Sequence, residues 1–197
     1  MDRRHAAQII AAAPIIAGLD FTALDAERAA RALADFRRRG QQYRPKFFTS
    51  HEWETVRVLV DLIIPADERS GSATQAGVPE FMDFIMTDSP ERQTAMRGGL
   101  AWLDAECRER FGKPTFLAAS DTERRAVLDD IAWPARARPE LSHGVAFFNS
   151  FRDLTASGFW SSKMGVEDLR YMGNTAVPNW NGCPDEQLRK LGVSYGD

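Results

Sequence analysis

Apolar residues recur along this chain every three or four positions, with polar residues between them. After Thr49-Ser50-His51-Glu52, a capping-box sequence, Trp53, Val56, Leu59, Val60 and Ile63 follow at helical spacing until Pro65 ends the pattern. Residues 66–77 are rich in Asp, Ser, Gly and Ala and read as a loop. Pro79 then suits the first turn of a helix carrying Phe81, Phe84 and Ile85. Ser89-Pro90-Glu91 opens another helix, in which Met96, Leu100, Leu103, Cys107 and Phe111 form one stripe up to Gly112. Ser120-Asp121-Thr122-Glu123 is a second capping box, followed by Val127, Leu128 and Ile131 and closed by Pro134. Residues 144–158 continue the helical period through Phe148, Phe151 and Leu154.

No stretch alternates with the period of two that a sheet requires. The expected fold is all-α, a single-domain bundle of about six or seven helices joined by short loops. Beyond Met164 the pattern thins, and residues 174–184 mix Pro, Asn, Gly and Trp without periodicity, predicting an irregular C-terminal tail on the surface. Residues 20–39 are Ala-rich, charged and end at Gly40, which fits either a helix stopped by glycine or a linker. The chain therefore divides into a terminal segment 1–20, a helix or linker over 21–45, and a helical domain over 46–197.

The terminal segment has the layout of an address. Paired Arg3 and Arg4 precede the weakly hydrophobic, Ala- and Ile-rich residues 6–19, basic then apolar, as in an export signal. The twin arginines and modest hydrophobicity favour the twin-arginine route, which carries folded proteins to the periplasm. An ordinary amphipathic helix with solvated arginines is the alternative, since Ala6 stands where a more hydrophobic residue is expected and no Ala-x-Ala cleavage site is evident. Past this segment the longest apolar run is 58–65, interrupted by Asp61 and too short to cross a bilayer.

Charge narrows the function. The 25 basic and 28 acidic residues are interspersed and sum to −3, which lacks the basic footprint of a nucleic-acid binder. Two cysteines, Cys107 and Cys183, match no zinc, redox or haem-attachment spacing. The three histidines, His5, His51 and His143, have no paired helical spacing, so no metal site is expected. Asp67 and Glu68 are adjacent carboxylates without spaced oxygen partners, better read as a solvated loop than a cation site. Neither a dinucleotide fingerprint nor a Walker A sequence is present, so no FAD or NAD is expected on this chain itself. No catalytic, cofactor-binding or metal residue is assigned.

What remains points to contact with another chain. Cys107 lies on an apolar stripe and reads as a small buried residue, kept reduced. Cys183, in Asn181-Gly182-Cys183-Pro184, falls in a turn of the tail where its thiol is accessible; a bond to another chain, a bond to Cys107 and a free surface thiol all stay open. Phe159, Trp160, Tyr171 and Trp180 crowd a weakly periodic region, and are expected either to anchor a partner or to staple the tail to its own bundle.

Three stretches carry a resemblance: Lys46-Phe-Phe-Thr-Ser-His-Glu-Trp-Glu-Thr-Val-Arg57; Leu62-Ile-Ile-Pro-Ala-Asp67 through Gly77-Val-Pro-Glu-Phe81; and Gly158-Phe-Trp-Ser-Ser-Lys-Met-Gly165 through Tyr171-Met-Gly-Asn174. Over about residues 47–184 the chain resembles the gluconate 2-dehydrogenase small-subunit (subunit 3) family, which includes small subunits of bacterial FAD-dependent glucose, fructose and glycoside 3-dehydrogenases. The resemblance implies a non-catalytic companion of a large flavoprotein of the glucose-methanol-choline (GMC) class. That subunit holds FAD, oxidises a sugar or sugar acid and passes electrons to an acceptor such as a c-type cytochrome subunit. It further implies that the small subunit supports folding of the large one and takes it across the membrane by its twin-arginine signal. Cys183 is the position matching a C-terminal cysteine held to bond to the large subunit in some relatives.

Two other functions compete: a free-standing exported helical adaptor, and a small hydrolase built on His51, Asp67 and Glu68. The helix expected between His51 and Asp67 argues against the second, because it separates them by roughly 20 Å at 1.5 Å per residue.

Overall fold

The structure, a computed structural model, describes residues 28, 31, 43–171 and 182–195. The segment 1–20 with Arg3 and Arg4, most of the stretch 21–42, and Trp180 lie outside the described residues. Among the described residues there are eight α-helices, two turns of 3-10 helix and no strand. The all-α expectation holds.

Helix starts follow the local chemistry of the sequence. Helix α1 (Ser50–Ile63) begins at Thr49, whose hydroxyl accepts from the Glu52 N–H while the Glu52 carboxylate accepts from the Thr49 N–H. The same reciprocal box at Ser120 and Glu123 opens α5 (Asp121–Ile131). These bonds satisfy backbone donors that a helix start leaves bare. A third box, unread in the sequence, uses Ser72 and Gln75 to start the one-turn helix α2 (Ala73–Ala76) inside the stretch expected to be loop. Asp61 supports it from α1 by accepting from the Thr74 N–H at 2.7 Å. Gly77, at φ 88°, ends α2 and begins α3 (Val78–Asp88) with one residue, a left-handed backbone that a side chain would resist.

Ser89 does not cap a helix as expected. Its side chain makes no capping bond, and residues Pro90–Arg92 form a 3-10 turn before α4 (Gln93–Phe111) begins. After α5, a second 3-10 turn leads into α6 (Ser142–Trp160). Ser162 then caps α7 (Lys163–Asp168). The tail is not wholly irregular: Asp185–Leu191 form α8, stopped by Gly192. Its acidic first turn and basic last turn match the helix dipole, but the sequence offers too few turns there to show a period.

Helix α6 is the hub, packed against α3, α4 and α5 and also touching α1, α2 and α7. The interior is aromatic: Phe81, Phe116, Phe147, Phe151 and Phe159 are all fully buried, with Met82, Met86, Met96 and Leu103 between them. Each such side chain contributes about 1.5–3 kcal/mol by leaving water. Two glycines let α4 and α6 approach closely. A Cβ on Gly99 would overlap the Phe147 ring, and one on Gly144 would overlap Trp102. Glycine inside a helix costs about 1 kcal/mol relative to alanine, a cost offset here by seating two large rings.

Candidate interaction surface

The residues that chemistry would need are dispersed. His51 stands at the start of α1 with its Nε2 2.7 Å from Asp104 Oδ2 on α4, and the other Asp104 oxygen accepts from the Phe116 N–H at 2.8 Å. This imidazole therefore ties two helices together. Asp67 is occupied locally: its Oδ1 accepts from the N–H groups of Arg69 and Ser70, both at 2.8 Å, and the Ser70 bond followed by the Arg69 bond lowers its pKa. Neither makes a polar contact with the other. Among the described residues no group of three or more His, Cys, Asp or Glu is placed to hold a metal ion, and no helix is long and apolar enough to cross a membrane.

The cysteines differ as their neighbours require. Cys107 is fully buried and its thiol is pushed up to about 11, by burial first and then by the negative charges of Asp104 and Glu106. Cys183 is exposed, and the two are free rather than bonded to each other. The Cys183 N–H donates to the Tyr195 hydroxyl at 2.6 Å, so the residues after α8 fold back onto the turn before it.

Of the aromatics singled out in the sequence, Phe159 takes the inward of the two expected roles. It is 1% exposed and packs in the core, edge-on to Trp160 at 4.9 Å between centroids, so it staples α6 inward and offers nothing to a partner in this state. The reason is register: Phe159 continues the face of Phe148, Phe151 and Leu154, whereas Trp160 falls one position beyond it. Trp160 is 39% exposed and Tyr171 59%. Leu169, two residues before Tyr171, is exposed with it.

A further aromatic was missed. Trp133, 62% exposed, follows the last inward residue of α5, Ile131, by two positions. It stands between two surface hollows. One, of about 270 Å³, has apolar walls from Leu62, Ile63, Leu128 and Phe148 with Arg125 and Arg152 at its edge. The other, of about 370 Å³, is lined by the charged residues Asp129, Asp130, Arg136 and Arg138 beside Trp133. The available signal was a tryptophan displaced from the Val127, Leu128 and Ile131 stripe and followed by Pro134, which prevents the helix from carrying it back inward. Helix α8 buries none of its residues, and Leu191, Val193 and Tyr195 are exposed around its end.

Comparison with curated proteins and with solved structures found no match. The family model described as Gluconate 2-dehydrogenase subunit 3 matches residues 50–179, which takes in α1 to α7 and stops short of Cys183 and α8. With most of its length and its helical body matched, the chain belongs to the gluconate 2-dehydrogenase subunit 3 family, an accessory-subunit type of a multisubunit dehydrogenase.

Proposed function

We propose that this chain is the non-catalytic small subunit of a flavin-dependent, GMC-class sugar or glycoside dehydrogenase complex, which supports the folding and stability of the FAD-bearing large subunit and its export to the periplasm by the twin-arginine route. The observation that carries the reading is the family match across the helical body. His51 and Asp67 are each engaged in other contacts, His51 with Asp104 and Asp67 with the backbone of Arg69 and Ser70, which fits a structural use of both. A c-type cytochrome subunit would complete electron transfer in such a complex.

The flavin belongs, on this reading, to the large subunit. The residues described do not fit it: there is no strand leading through a glycine loop into a helix to cradle a pyrophosphate, and the hollows beside Trp133 are surface depressions. What this chain supplies is surface. Trp133, Trp160 and Tyr171 are large amphipathic side chains left in water, the residue types that carry most binding energy when a partner covers them. Cys183 is the candidate for an inter-subunit disulfide, held in a turn by Tyr195. Arg3 and Arg4 are the candidate export signal.

Affinity purification of a C-terminally tagged chain from its native cells tests this, with an absorbance spectrum and non-reducing electrophoresis of the product. A co-purifying large chain with flavin absorbance is expected, and its release only on reduction would assign Cys183. A colourless, stable monomer would overturn the reading in favour of a free-standing adaptor. In the same assay Trp133→Ala and Trp160→Ala separate anchors from bystanders by how much large subunit each retains.

A further inference from the structure

The stretch just before α1 has no regular structure of its own, yet Phe47 and Phe48 within it are core residues. One carboxylate holds it. Asp83, on α3 and fully buried, accepts from the Tyr43 hydroxyl at 2.7 Å and the Lys46 N–H at 2.8 Å on one oxygen. Its other oxygen accepts from the N–H groups of Phe47 at 2.9 Å and Phe48 at 3.1 Å. Every one of these donors comes from residues 43–48. The same stretch is gripped from the opposite side by α4: Arg97 donates to the Phe47 carbonyl at 2.8 Å, lies 4.4 Å from the centroid of its ring, and binds both Glu52 oxygens. Tyr43 stacks on Trp53 of α1 with centroids 5.9 Å apart.

We propose that residues 43–48 form a latched strap, closed by Asp83 once α3 and α4 have packed onto α1 and α6, which opens as a unit without unfolding the bundle and fixes where the chain N-terminal to Tyr43 joins the folded body. Closure depends on folding because the acceptor and the arginine sit on different helices, and both reach the strap only when those helices are packed against α1 and α6. A buried carboxylate without donors is strongly unfavourable, as are buried N–H groups without an acceptor, so strap and carboxylate hold one another. Opening is separable because the strap contributes no bonds to any helix ladder. When it lifts, water replaces all four donors at Asp83, and α1 to α6 keep their own hydrogen bonds. Such local openings populate below the free energy of global unfolding.

Hydrogen exchange of the purified full chain, resolved to single amides, tests it. The Lys46, Phe47 and Phe48 amides are expected to exchange together and faster than those of Leu103 and Phe151. In Asp83→Asn, which keeps the shape but presents an N–H₂ to two of the donors, the strap amides should exchange at least about tenfold faster while the core amides keep their wild-type rates. Tyr43→Phe removes one donor at the strap's outer end and should give a smaller rise, about two- to tenfold. If Asp83→Asn does not fold, the Tyr43→Phe comparison decides. Strap amides that exchange at the core rate in the wild type, or that do not respond to Tyr43→Phe, would overturn the latch.

Discussion

The Phe147 ring occupies the space where Gly99 would carry a Cβ, so α4 and α6 meet at a distance set by the absence of one methyl group. Gly99→Ala therefore forces the Phe147 ring or one of the two helices to shift. A loss of about 1–3 kcal/mol in unfolding free energy is expected despite alanine's better helix propensity. Pairing it with Phe147→Leu should recover part of that loss, and a double-mutant cycle by chemical denaturation would show coupling of about 0.5–3 kcal/mol. Additive effects would mean that the two positions do not press on one another.

Thr49→Ala removes one half of the box that starts α1, and leaves the Glu52 N–H without its side-chain acceptor. The expected cost is about 1 kcal/mol, seen as a fall in Tm of about 2–4 °C for a chain of this size. Because Glu52 also receives Arg97, Glu52→Ala should cost more than Thr49→Ala, losing both the cap and the anchor beneath the strap.

Glu123 sets a pH dependence with a definite sign. The Ser120 N–H, and then the Ser120 hydroxyl, hold its carboxyl below the ordinary glutamate range. A depressed folded pKa gives stability that is present above the unfolded value and is lost as pH falls through the folded one. Ser120→Ala should therefore raise the Glu123 pKa, observed by NMR titration, and its destabilisation should be largest near neutral pH and shrink on acidification. Glu106 runs the other way, since burial raises its pKa: protonation is favoured in the folded state, so its contribution weakens as pH rises above the ordinary glutamate range.

The two thiols should be distinguishable by reactivity alone. Burial pushes the Cys107 thiol up to about 11, leaving little thiolate at pH 8, while Cys183 is open to solvent. A thiol reagent added to the reduced, native, isolated chain should label Cys183 promptly and Cys107 only on unfolding. Rapid labelling of both would mean that the core around Cys107 opens far more readily than its packing suggests.

Much of this protein was legible in its sequence because the relevant physics is local. A capping box spans four residues, and a proline or glycine stops a helix where it stands, so Thr49, Ser120, Pro79, Gly112 and the inward stripes of α1, α4, α5 and α6 are written along the chain. Family membership was also legible, since it rests on a pattern spread over many residues. The short helices α2 and α8 escaped because one or two turns are too few to establish a period. Tertiary structure alone decided what depends on which helices meet. It turned Asp83 from an acidic residue on a helix into a buried acceptor for a strap some 36 positions away, gave Gly99 its role against Phe147, drew Phe159 into the core and left Trp133 in water. Periodicity fixes the face on which a residue lies; it carries no information on what will be packed against that face, because that is a property of the assembled bundle.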